Sequence, residues 1–76
     1  MEKLTSQTIA GELRAEMARQ QRRMGDLSEV LGLSQPAVSA RLNGRQALTV
    51  DELVIIARWL DISPVPLMAL IMEESA

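Results

Sequence analysis

Leu27-Ser28-Glu29-Val30-Leu31-Gly32-Leu33-Ser34-Gln35-Pro36-Ala37-Val38-Ser39-Ala40-Arg41-Leu42-Asn43-Gly44 decides the fold, because almost every position in it has a physical task. Leu27 and Leu31 stand at helical spacing. Gly32 follows where that short helix must stop, since glycine accepts the left-handed backbone that a sharp exit needs. Ser34 offers a hydroxyl to cap a second helix. Pro36 falls in the first turn of that helix, where a missing N–H costs little, and Asn43-Gly44 supplies its end. Val38 and Leu42 share one face at i, i+4, so Leu27, Leu31 and Leu33 close a core against them. Gln35, Pro36, Ser39, Ala40 and Asn43 are left pointing outward. They are small or amide-bearing, which lets the helix backbone approach another surface closely.

Two short helices joined in this way are the sequence form of a helix-turn-helix, whose second helix enters the DNA major groove. Gln35 is then the leading base reader, because its amide pairs bidentately with adenine N6 and N7. Ser39 can donate to or accept from a base, and Pro36 and Ala40 suit a thymine methyl. Ser34, Asn43, Arg45 and the backbone N–H groups that open the helix are phosphate candidates. Arg41 lies beside the buried face, so its stem packs while its head reaches solvent or phosphate. Arg23 stands with Arg19 and Arg22 at the end of the preceding helix, where the dipole favours cations, and is a further phosphate candidate.

The segment resembles the helix-turn-helix of the lambda-repressor-like family, which includes phage repressors, Cro-type proteins and restriction-modification controller proteins. The likeness extends beyond the motif. Val50-Asp51-Glu52-Leu53-Val54-Ile55-Ile56-Ala57-Arg58-Trp59-Leu60-Asp61-Ile62 resembles the family's fourth helix, and Pro64 onward its fifth. It covers about Thr5 to Met72. Two positions depart from the pattern: Met24 stands where the family often has glutamine, and Ser28 where it usually has alanine. The resemblance implies an all-α, five-helix DNA-binding domain that binds its operator as a homodimer.

Composition agrees with one small helical domain spanning 1–76, with its motif at about 24–43. Apolar residues make up 47% of the 76, yet there is one tryptophan and no Phe or Tyr, so the core must be aliphatic. A domain of this length is marginally stable alone and leaves no room for a separate ligand-binding or cleavable unit, so no inducer is expected. No apolar run is long enough to cross a bilayer. The start, Met1-Glu2-Lys3-Leu4, lacks the basic-then-apolar order of a signal peptide. With no cysteine for disulfides, the expectation is a cytoplasmic protein. His and Cys are both absent, which removes the usual general base, thiol nucleophile and transition-metal ligands. Neither enzyme activity, cofactor nor metal is expected.

Net charge argues against nucleic acid at first sight, being −2 with a pI of about 5.0, whereas DNA-binding domains are usually basic. Its placement reverses the objection. Residues 14–45 carry six arginines against three carboxylates, a local +3, while residues 46–76 carry only Arg58 against five carboxylates, a local −4. The basic part coincides with the motif, and salt screens the remainder beyond about 10 Å.

Five helices and no strand are expected. The first runs from about Ser6 to Gln21, with Ile9, Leu13 and Met17 buried. The second ends near Leu31 and begins at Met24 or at Asp26, since Gly25 is a poor helix residue and Asp26-x-x-Glu29 has capping-box spacing. Gln35 to about Leu42 is the third. The fourth opens on the capping box Thr49-x-x-Glu52 and buries Val50, Leu53, Ile56, Ala57 and Leu60. The fifth starts at Ser63-Pro64 and ends near Met72. Ile55 and Trp59 form a second apolar stripe on the fourth helix, assigned mainly to packing against the fifth. The fifth helix is apolar on nearly every side, and something must cover it. A homodimer contact through Leu67, Leu70, Ile71 and Met72 is the expectation.

The expected function is sequence-specific binding of double-stranded DNA by a homodimeric repressor of phage or Cro type on a palindromic operator. Two other functions fit the same pattern. One is an antitoxin or anti-regulator that grips a protein through its apolar last helix. The other is an excision factor that bends DNA.

Overall fold

A computed structural model describes residues 2–75, and the side chains of residues 6–73. Its helices are α1 (Glu2–Gln20), α2 (Met24–Leu31), α3 (Gln35–Leu42), α4 (Val50–Trp59) and α5 (Val65–Ser75), with no strand among the described residues. The helix-turn-helix boundaries fall where the sequence puts them. α1 begins four residues earlier than expected, as no glycine or proline interrupts it before Gly11. It ends at Gln20 because Gln21 turns left-handed, at φ 57°. α2 starts at Met24, preceded by an extended Arg23 with no side-chain cap. α5 begins at Val65 rather than Pro64. The Pro64 carbonyl accepts the first helical bond from Met68 N, and Ser63 Oγ accepts from Val65 N.

The four exits between helices use one device. Residues Gln21, Gly32, Gly44 and Asp61 adopt positive φ. The following N–H donates back five residues in each case: Arg22 to Met17, Leu33 to Ser28, Arg45 to Ala40 and Ile62 to Ala57, at 2.8–3.1 Å. This is the Schellman pattern, which satisfies carbonyls that a helix end leaves open.

The core is aliphatic, as the lack of Phe and Tyr requires. Ile9, Leu13 and Met17 of α1 meet Leu27 of α2, Val38 and Leu42 of α3, Leu53, Ile56 and Leu60 of α4, and Leu67 of α5. Leu13, Leu27, Leu53, Ile56, Leu60 and Val38 are almost wholly enclosed, each contributing about 1.5–3 kcal/mol through burial. α3 packs on both α1 and α2, α4 on α2, and α5 on α1.

Three expectations about burial change. Helical spacing sets Val50 on the same face of α4 as Leu53, Ile56, Ala57 and Leu60, but it is exposed. It is the first residue of the helix, and a helical side chain leans back over the preceding turn, here the open loop before α4. Leu67, expected at a dimer contact, is 7% exposed and belongs to the monomer core, because α5 turns that face onto α1. Leu70 and Ile71 are partly buried against the same core, whereas Met72 is 71% exposed.

Candidate nucleic-acid interface

The turn between α2 and α3 is fixed twice by the same pair of residues. Leu33 N donates to the Ser28 carbonyl at 3.1 Å, and the Ser28 hydroxyl donates to the Leu33 carbonyl. Ser28, one of the two departures from the family pattern, therefore ties down the turn that aims α3. A serine in mid-helix carried no such signal in sequence. Across the turn, Ser34 caps α3 by accepting from Ala37 N at 3.3 Å.

On α3, Gln35, Pro36 and Asn43 are exposed, and Ser39 and Ala40 half-buried. A Cβ built on Gly25 would lie 3.6 Å from Gln35 Nε2, so the first side chain of α3 rests beside the start of α2. Asn43 Nδ2 donates to Ser39 Oγ at 3.2 Å, one helical turn back. Two of the candidate DNA-contacting side chains are thus joined to each other. The Ser34 hydroxyl is engaged by its own helix, while the Ala40 carbonyl accepts from Arg45 N and Gln46 N at 2.9 and 3.1 Å.

The arginines divide into tied and untied. Arg41 folds back along α3, with Nη1 donating to the Ala37 carbonyl at 3.0 Å and Nε to Glu52 Oε1 at 3.1 Å. Both side chains of the pair are 17% exposed. Of its two sequence alternatives, packing or phosphate, the structure engages the head as well as the stem inside the molecule. Arg22 stacks on Trp59, 4.9 Å from the ring centroid, and donates to the Trp59 carbonyl. Arg19 pairs with Glu16 at 2.6 Å on the surface. Arg23, just before α2, and Arg45, just after α3, are exposed and make no side-chain hydrogen bond or ion pair among the described residues. These two free cations flank the motif.

Gly44 closes the far end of α3 against α1. A Cβ there would meet Gln7 Cγ at 2.7 Å and Gln7 Cα at 2.9 Å, so this glycine permits a close approach as well as a left-handed turn. Glu52 sets the start of α4. Its Oε1 accepts from Thr49 N at 3.0 Å while Thr49 Oγ1 accepts from Glu52 N, completing the capping box. Burial pushes the Glu52 carboxyl up, but the Thr49 N–H and the Arg41 guanidinium outweigh it and hold the group below its ordinary range.

No helix among the described residues is long and apolar enough to cross a membrane, and no cluster of three or more His, Cys, Asp or Glu gathers there as a metal site would require. Comparison with curated proteins and with solved structures gives no significant match. A helix-turn-helix family model matches residues 12–67, a span that takes in the whole motif, α4 and the buried Leu67. Five helices in this order, with α3 presented by a doubly fixed turn, and a family match over most of the chain lead to one assignment: the protein belongs to the Cro/C1-type, lambda-repressor-like helix-turn-helix family, whose members are DNA-binding transcription regulators.

Proposed function

We propose that the protein is a repressor that binds a palindromic operator as a homodimer, with α3 in the major groove of each half-site. The observation that carries this is the character of the outer side of α3. Gln35, Pro36 and Asn43 are exposed on a helix with no charged residue of its own to spare, between the untied cations Arg23 and Arg45. Amide and small apolar groups read base edges, and unpaired guanidinium groups hold phosphates. Gln35 is the principal base reader; Pro36, Ser39 and Ala40 sit on the groove floor, and Ser34, Asn43, Arg23 and Arg45 face the backbone. The bond from Asn43 to Ser39 prearranges both.

A second copy is supported by the uncovered side of α5. Val65, Ala69 and Met72 stand at i, i+4, i+7 and are all exposed, Val65 and Met72 at 66% and 71%. That is an apolar stripe left open to solvent, one which a two-fold contact would bury on both copies.

Selection of bound duplexes from a random pool tests the reading. A palindrome should emerge with half-sites about one DNA turn apart, roughly 34 Å. Gln35→Ala should then weaken binding to the selected site by about 1–3 kcal/mol and relax one base pair per half-site, with random DNA scarcely affected. Equal losses on both would remove Gln35 as a reader. Absence of any salt-sensitive affinity for DNA would favour a protein partner instead.

A further inference from the structure

We propose that Arg41 and Glu52 form a clamp that positions α3 and the Arg45 loop for DNA, acting through geometry and without touching phosphate. The proposal rests on α3 being the helix that enters the groove. Its observations are independent of that. Glu52 Oε1 alone accepts from Thr49 N, at the start of α4, and from Arg41 Nε, in the last turn of α3. One oxygen therefore joins both ends of the irregular segment between α3 and α4, on which Arg45, Gln46 and Ala47 are exposed.

The second end of the guanidinium is committed too, to the Ala37 carbonyl of its own helix. Both partners are largely withdrawn from water at 17% exposure, where a charge-assisted bond is stronger than on an open surface. Moving Arg41 to a phosphate would leave Glu52 half-buried without its cation, which costs free energy. At the α3 side the loop is fixed by the bonds from Arg45 N and Gln46 N to the Ala40 carbonyl and by the seat of Gly44 on Gln7. The clamp supplies the bridge across it. Arg45, the free cation at this end of the motif, owes its position to Glu52, whose own charge is of the wrong sign to contact DNA.

Glu52→Gln isolates the clamp, because glutamine also serves at this position of a capping box and α4 keeps its start. Binding to the selected duplex is measured across a salt series for the parent, Arg41→Ala, Glu52→Gln and the double variant, with helicity checked in each. The expected result is a roughly threefold to tenfold loss in each single variant, no further loss in the double, and an unchanged slope of log affinity against log salt. A slope shallower by about one unit in Arg41→Ala would make Arg41 a phosphate ligand and overturn the proposal. Tighter binding by Glu52→Gln, or losses that add in the double, would overturn it equally. Amide hydrogen exchange at Arg45 and Gln46 separates this from failure of the DNA reading. If the parent binds no DNA, exchange accelerated to the same degree in both single variants still upholds the clamp, and unchanged exchange refutes it.

Discussion

Gly32 and Gly44 both adopt positive φ at a helix exit, at 67° and 75°, but they are held for different reasons. A Cβ on Gly32 would find nothing within 4 Å, whereas on Gly44 it would strike the side chain and backbone of Gln7. Gly32→Ala should cost only left-handed strain, about 1–2 kcal/mol. Gly44→Ala adds an overpacked contact between α3 and α1 and should cost about 3 kcal/mol or more. Urea midpoints of the two variants check this, and equal losses would mean that α1 yields at Gln7. At Glu52 the expected effect depends on pH. Its carboxyl is held below the ordinary value of 4.5 by Thr49 and Arg41 against the opposing push of burial. A folded-state pKa lower than the unfolded one stabilises the fold above the unfolded value, and the gain disappears as pH falls through the folded one. Denaturation midpoints of the parent should therefore decline more steeply below about pH 4.5 than those of Glu52→Gln; parallel curves would assign no stabilising role to the ionised group.

Helices here are finished by other helices as much as by their own sequence. α4 ends in carbonyls that its Schellman turn does not exhaust. Gln20 Nε2, at the end of α1, donates to the Leu60 carbonyl at 2.6 Å and to Glu16 Oε2 at 2.9 Å. Arg22 reaches the Trp59 carbonyl at 3.1 Å while its guanidinium covers the Trp59 ring. A cation at a helix C-terminus also opposes the dipole favourably. The end of α1 thus serves as the cap of α4, although Gln20 and Leu60 are 40 positions apart in the chain. Gln20→Ala should destabilise the protein by about 1–2 kcal/mol through the carbonyl it leaves open, measured by chemical denaturation. A loss within about 0.5 kcal/mol, the range of ordinary surface substitutions, would show that water replaces the amide without cost.

Across the whole molecule, charge and apolar surface are sorted by region. Three of the six arginines in residues 14–45 are spent on Glu16, Trp59 and Glu52, which leaves Arg14 on α1, and Arg23 and Arg45 at the two ends of the motif, without a side-chain partner among the described residues. α5 divides its apolar residues between two duties: Leu67 fills the core, and the side bearing Val65, Ala69 and Met72 stays open. The best probe of a dimer is therefore Met72, not Ile71, which is partly buried on the monomer core. Met72→Glu should keep its helicity and thermal stability, sediment as a monomer, and lose far more affinity for a full palindrome than for a half-site. Every contact on a two-fold axis is made twice, so a single change places two carboxylates together. A variant that still sediments as a dimer would take this side of α5 out of the interface.

Local chemistry determined the parts of this protein that depend on neighbours in the chain. Gly32, Ser34, Pro36 and Asn43-Gly44 set the ends of α2 and α3; Thr49 and Glu52 set the start of α4; the spacing of Ile9, Leu13, Met17, Val38 and Leu42 named the core faces. Capping, left-handed exits and 3.6-residue periodicity act over a few residues, so a single sequence displays them. Contacts between distant residues were decided by packing alone. Nothing in sequence joined Gln20 to Leu60, seated Gly44 on Gln7, returned the Ser28 hydroxyl to the Leu33 carbonyl or turned Arg41 towards Glu52. The side of an all-apolar helix that faces inward is likewise invisible to periodicity, because every side qualifies. Only the docking of α5 on α1 chose Leu67 for the core and left Val65, Ala69 and Met72 outside.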